Sequence, residues 1–273
     1  MTVQWCVCDI DGTLLDDKSN ISQENAGAIK RLQDTGIQFI LATGRPDFWV
    51  KEIVDRLRIS GPLIACNGAV IRNFPERKIL WYKAMEEEFV CSFAAYCLEQ
   101  GHDLLAYTAD TVYYTPGSRL ANIFHTYNRS VAQEYHVPTQ ILAEGLQWPV
   151  REVVKFLVRS RQIAHDAKFA ELLHDHRITS TSSRSGVADI MAKGVSKGNA
   201  LCRLAELGFI DLKETAALGD NFNDISMFEA AAFGIAMGNA VEELVRRAQF
   251  ITRSNKESGV AFAIDQWVLG GKE

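Results

Sequence analysis

The 273-residue chain lacks any apolar run approaching the ~20 residues of a membrane-spanning helix. Its N-terminus passes directly into a strand-like segment without a signal-peptide pattern, so a soluble, cytoplasmic protein with no membrane partner is expected. Basic charge is not in excess: the net charge of −5 leaves no general footprint for nucleic acid. The six cysteines (Cys6, Cys8, Cys66, Cys91, Cys97, Cys202) show neither a CxxC pair nor metal-ligand spacing, and they read as reduced core residues. His174 and His176 form an H-x-H with no third or fourth ligand nearby in sequence, which argues against a zinc site. Apolar residues are plentiful. At 47% they suffice for two cores, in a chain that fits a main domain plus one sizeable insertion.

Asp9-Ile10-Asp11-Gly12-Thr13 follows the apolar run Val3-Gln4-Trp5-Cys6-Val7-Cys8, placing two carboxylates where a buried strand meets solvent. Side chains alternate along a strand, so Asp9 and Asp11 share one face at its exit. One carboxylate of such a pair can attack phosphorus; the other can protonate the leaving oxygen and later deprotonate water. Gly12 lets the backbone turn tightly around the incoming group. Phosphoryl transfer also needs its equatorial oxygens neutralised, and three further segments carry suitable groups. Thr43 follows the strand-like run 37–42 and opens Thr43-Gly44-Arg45-Pro46, where Pro46 is placed to begin a helix. Lys197 follows a Ser196 N-cap before the helical spacing of Ala200, Leu201, Leu204 and Leu207. Gly219-Asp220-Asn221-Phe222-Asn223-Asp224 follows the run 215–218 and supplies two carboxylates, hard oxygen ligands that suit Mg²⁺. Four acids against one lysine would repel a phosphate dianion, and a divalent cation reverses much of that repulsion.

Strands at about 3–8, 37–42 and 62–66, with helices at Ser22–Thr35 and roughly Pro46–Leu57, predict parallel βαβ units. The alternation resumes after Lys197, with strands near 215–218, 233–237 and 249–252. The fold class expected is α/β: a doubly wound parallel sheet with its motifs at the strand C-termini, and an inserted α/β domain. A hairpin over 70–81 leads into the charged junction 83–88, where the domain boundary is drawn. The core is therefore expected at 1–85 and 190–273 and the insertion at 86–189. Within the insertion a helix, a hairpin (104–107 and 111–115), a helical stretch, a strand at 153–158 and a helix around 164–174 are expected. The Ser/Thr-rich run 179–185 reads as loop, and Arg184 within it is a candidate substrate contact.

Taken in order, DIDGT at 9–13, ATGR at 42–45, Lys197 and GDNFND at 219–224 resemble the four motifs of haloacid dehalogenase-superfamily phosphatases of the Cof type. The turn Ala65-Cys66-Asn67-Gly68-Ala69 and the long interval between Thr43 and Lys197 are similar to that branch, where the interval holds a cap. The resemblance covers essentially the whole chain. It implies a Mg²⁺-dependent phosphatase acting through an aspartyl phosphate on a small phosphate ester, with Asp9, Asp11, Thr43 and Lys197 catalytic. It also implies that Asp9 and Asp220 ligate Mg²⁺ and that Asp11 does so through its backbone carbonyl. Asp224 is then a ligand or an anchor behind the ligands. Gly12, Gly44, Arg45, Asn67, Asn223 and Arg184 are the candidate substrate-binding residues. Asn223 orients either the phosphoryl group or Asp220, and Arg45 is either a helix-surface cation or a substrate contact. Two alternatives stand beside this one. A phosphomutase would use the same nucleophile but return the phosphoryl group to sugar. A phosphorylatable receiver module would need no such insertion, and Asp11, two residues after the nucleophile, favours rapid turnover over a long-lived phosphoryl mark.

Overall fold

The structure is a computed structural model and describes residues 2–142, 151–159, 167–184 and 187–270, the side chains of 167 and 182–184 lying outside the description. In chain order the elements are β1 (Trp5–Cys8), α1 (Gln23–Asp34), β2 (Gln38–Leu41), α2 (Lys51–Arg56), β3 (Gly61–Ala65), β4 (Val70–Phe74) and β5 (Lys78–Tyr82). There follow α3 (Glu87–Glu99), β6 (Asp103–Tyr107), β7 (Val112–Tyr114), α4 (Asn122–Ser130), β8 (Thr139–Ile141), β9 (Lys155–Arg159), α5 (Ala167–Leu173), β10 (Ile178–Arg184) and β11 (Val187–Ala192). The chain closes with α6 (Lys197–Glu206), β12 (Thr215–Gly219), α7 (Ile225–Ala230), β13 (Phe233–Ala236), α8 (Glu242–Val245), β14 (Phe250–Ile251) and α9 (Gly259–Ala263). No helix among the described residues is long and apolar enough to cross a membrane.

Two compact units result. The first comprises the chain to Arg45, Ile53–Leu80 and everything from Ser196 onward. Its sheet runs β14-β13-β12-β1-β2, with every neighbouring pair parallel. Strands of such a sheet are covered on both faces and read as unbroken apolar runs, and Cys6, Val7 and Cys8 of β1 are completely buried. Helix α1 starts where Ser22 Oγ accepts from the Asn25 N–H at 3.1 Å, and its Asn25, Ala28, Ile29 and Leu32 are buried at helical spacing. Buried Asn25 is satisfied on both sides, donating to Leu14 O at 3.3 Å and accepting from the Ala261 N–H at 2.9 Å.

Strand β3 departs from the expected parallel partner. It meets β2's continuation at one parallel bridge, Ala42 with Ile64, and otherwise pairs antiparallel with β4 in a small sheet, β3-β4-β5. The helix expected over 46–57 is also interrupted. Pro46 is extended at ψ 150° and caps a 3₁₀ turn at Asp47–Trp49, after which α2 begins.

The second unit holds Trp81–Val195 together with Pro46–Glu52. Beside the expected limits of 86 and 189, the linking residues bond within the unit: Tyr82 Oη donates to Glu152 at 2.7 Å, Lys83 Nζ to Lys193 O at 2.7 Å, and the Met85 N–H to Val153 O at 2.8 Å. The segment 46–52 joins through Trp49, whose ring lies edge-on to Phe124 at 5.0 Å and near Tyr127 at 6.3 Å. The unit's sheet runs β10-β11-β9-β6-β7-β8, antiparallel except for the β7–β8 pair. Helices α3 and α5 cover one face, where Phe93 sits 5.3 Å from Phe156 and 5.9 Å from Phe169. Residues 179–184 of the Ser/Thr-rich run read as loop lie in strand β10, where successive residues from Ile178 to Ser182 pair with β11 and β-branched threonines suit the pleat; Ser185 lies outside the described residues. The hairpin strands 104–107 and 111–115 correspond to β6 and β7, and the 153–158 strand to β9.

Candidate active site

The first unit gathers its polar residues at the C-terminal ends of β1, β2 and β12. Strand β1 continues its ladder through the Asp9 N–H to Leu218 O bond of 3.0 Å, so Asp9 is fixed at the rim with 5 % exposure. Lys197, the first residue of α6, is completely buried; its Nζ lies 2.5 Å from Asp9 Oδ1 and 2.7 Å from Asp224 Oδ1. Ser196 anchors this helix start by accepting from the Asn199 N–H at 3.1 Å. Asp224 uses its second oxygen on the backbone, accepting from the N–H groups of Asp220 at 2.9 Å and Asn221 at 3.0 Å. Both Asp224 oxygens are thus engaged in holding the loop and the lysine.

Asp9, Asp220 and Asp224 each present a carboxylate oxygen within 4.8 Å of the others. Burial pushes the Asp9 carboxyl well above its ordinary range, with Lys197 opposing and Asp224 reinforcing the rise. Burial likewise pushes Asp220 up to about 6, helped by Asp224 and opposed by the Thr13 hydrogen bond. Although burial disfavours its charge, Lys197 is held above its ordinary range by Asp224 and Asp9. Full ionisation of the three carboxyl groups would place more negative charge here than one ammonium balances. An all-oxygen donor set of this kind fits Mg²⁺. The close approach is exacting, since a Cβ on Gly12, at φ +85°, would stand 2.3 Å from Asp220 Oδ2.

Around this centre the other sequence-selected residues fall at different distances from the chemistry. Buried Thr43 accepts the Arg45 N–H at 3.1 Å on Oγ1. Gly44 lies close under Asn67, whose Oδ1 would be 3.0 Å from a Cβ there. Asn67 in turn accepts from Asn223 Nδ2 at 3.0 Å, tying the loop after β3 to the loop after β12. Cys66 and Asn67 both adopt left-handed backbone, at φ 50° and 56°. Arg45 points to Asp11 as an ion pair, with Nε 2.8 Å from Asp11 Oδ2. Arg184 is in β10 opposite Val187, and its side chain lies outside the described residues. Two neighbours were missed in sequence. Thr13 Oγ1 donates to Asp220 Oδ1 at 3.1 Å, and Asn239 Nδ2 donates to Gly12 O at 2.9 Å. Thr13 stood inside the first motif; Asn239 had only its place just after β13 to suggest it. The cysteines are free, and among the described residues no other group of three or more His, Cys, Asp or Glu side chains is placed to hold a metal ion.

A family model for haloacid dehalogenase-like hydrolases matches residues 6–264. The chain belongs to the haloacid dehalogenase-like hydrolases. It is similar to the 5-amino-6-(5-phospho-D-ribitylamino)uracil phosphatase YwtE of Bacillus subtilis, with 34% identity over 96% of this chain and 97% of that one. The pyridoxal phosphate phosphatase YbhA of Escherichia coli is 30% identical, over 96% of this chain and 97% of its own. Among solved structures, a haloacid dehalogenase-like hydrolase from B. subtilis superimposes with a TM-score of 0.82 at 28% identity, covering 97% of this chain and 100% of that chain. The protein is accordingly a hydrolase of the α/β class, a parallel-sheet core carrying additional sheets, and the relatives YwtE and YbhA are named phosphatases.

Proposed function

We propose that this family member is a Mg²⁺-dependent phosphomonoesterase that hydrolyses small phosphorylated metabolites through an aspartyl phosphate on Asp9. The observation that carries it is the buried contact of Lys197 with Asp9 and Asp224, beside Asp220. The Lys197 ammonium at 2.5 Å opposes the rise that burial imposes on Asp9 and orients its carboxyl group as a nucleophile. Asp11, two residues on and more exposed, gives its proton to the leaving oxygen and then receives one from water. The Thr43 hydroxyl holds a phosphoryl oxygen, and Asn223, braced by Asn67, orients the loop that carries Asp220. Asp9, Asp220 and the Asp11 carbonyl would hold Mg²⁺, with Asp224 as anchor; the ion supplies charge neutralisation at the phosphoryl group. The inserted unit acts as the cap that selects the leaving group, in line with relatives whose named substrates share only the phosphate ester.

The test is covalent capture. Mass spectrometry after rapid quench should place phosphate on Asp9, Asp9→Asn should fold but not turn over, and EDTA should remove an activity that Mg²⁺ restores and Ca²⁺ supports poorly. Full turnover by Asp9→Asn would sink the mechanism. Isomerisation of a sugar phosphate without release of inorganic phosphate would point to a mutase instead.

A further inference from the structure

Arg45 is held from both sides of its main chain. Its N–H donates to Thr43 Oγ1 at 3.1 Å and its carbonyl accepts from the Cys66 N–H at 2.9 Å. From that base the guanidinium, 15 % exposed, meets the Asp11 carboxylate as a fork: Nε donates to Oδ2 at 2.8 Å while Nη2 pairs with Oδ1. The Asp11 side chain is 56 % exposed, so little else restrains it. A two-point guanidinium–carboxylate pair sets the plane as well as the place of the carboxylate, which a single lysine contact would not do.

Resting on the phosphatase reading above, we infer that Arg45 is a positioning residue for proton transfer by Asp11 and not a contact for the phosphoryl group. In the first half-reaction the ester oxygen–phosphorus bond breaks, a bond from an Asp9 oxygen to phosphorus forms, and the Asp11 proton passes to the ester oxygen, which leaves as the alcohol. In the second half-reaction water attacks phosphorus, the Asp9–phosphorus bond breaks, and the water's proton returns to Asp11. Because the fork fixes the Asp11 carboxyl group in one place and one plane, both proton transfers depend on Arg45 through orientation.

Leaving-group dependence separates the two roles. A departing oxygen that is already a weak base needs little protonation, so loss of Arg45 should hardly matter there. The full-length protein is assayed with 4-nitrophenyl, phenyl and 4-methoxyphenyl phosphate, which differ little in shape but increasingly need an acid. We expect Arg45→Gln to lower kcat/KM by less than about tenfold on 4-nitrophenyl phosphate and by at least about a hundredfold on 4-methoxyphenyl phosphate. Arg45→Lys should recover part of the loss. Asp11→Asn should show the same slope, and the double variant should be no worse than Asp11→Asn alone, since both act in one step. An equal loss across all three esters, a rise in KM alone, or multiplying losses in the double variant overturns the inference and returns Arg45 to the phosphoryl group. If the parent protein releases phosphate from none of them, the phosphatase reading itself fails and this inference with it.

Discussion

Lys197 shows how one residue can be both structural and functional. Completely buried, it stands between Asp9 and Asp224, and neither carboxylate would be tolerable there without a cation. Lys197→Met keeps the stem and removes the charge. It should lower turnover on every phosphate ester by about 10²- to 10³-fold, the range for loss of one charge-stabilising donor. It should also cost about 3–5 kcal/mol of stability in metal-free protein, because two buried carboxylates lose their partner. Chemical denaturation in EDTA reads the second effect, and an unchanged midpoint would show that water already solvates the pair. Lys197 was legible in sequence because Ser196 and the apolar spacing after it announce a helix start. The Thr13–Asp220 hydrogen bond was not, since its partners are 207 positions apart and only the β1–β12 pairing brings them together.

At the scale of elements, the position of Lys197 depends on how closely α6 approaches α7. A Cβ on Gly198 would lie 2.0 Å from Ser226 O, and Ser226 Oγ accepts the Gly198 N–H at 3.0 Å. Gly198→Ala must push the helices apart. A loss of about 1–3 kcal/mol is expected, together with a fall in kcat from the displaced lysine, and denaturant midpoints with steady-state assays would measure both. In the other unit, the turn before β10 is held by Asp175, which accepts from Arg177 Nε at 3.0 Å, Nη2 at 2.8 Å and the Arg177 N–H at 2.8 Å. The Arg177 hydrogen bonds hold the Asp175 carboxyl at about 2, below its ordinary 3.8. A depressed carboxyl stabilises the fold fully above the unfolded value and loses that stability as pH falls through the folded one. Asp175→Asn should therefore be less stable than the parent near neutrality, on the order of 1 kcal/mol given partial exposure. The difference should shrink below pH 3.8 and vanish only below about pH 2, as thermal unfolding at several pH values would show. Capped helices and apolar strands were readable here. β10 was not, because serine and threonine runs carry no apolar period and only pairing with β11 makes them a strand.

Across the whole molecule, the parallel sheet was visible in the alternation of apolar runs with capped helices, and the four motifs lie in the first unit as its strand order requires. The limits of the second unit were less visible. Pro46–Glu52 belongs to it through Trp49 and Phe124, residues 75 positions apart that no local pattern links. If the first unit performs phosphoryl transfer and the second selects the leaving group, substitutions should sort by unit. Lys197→Met should depress all substrates alike, because it removes a contact common to each. Arg184→Ala and other substitutions in β10 and the segments beside it should instead reorder substrates by kcat/KM, since they alter what surrounds the departing group and not the phosphorus. A screen of phosphorylated metabolites with phosphate detection, run on the parent and both kinds of variant, makes the comparison. A reordered ranking in Lys197→Met, with several independent second-unit variants keeping the parent's order, would place selectivity in the first unit's own crevice.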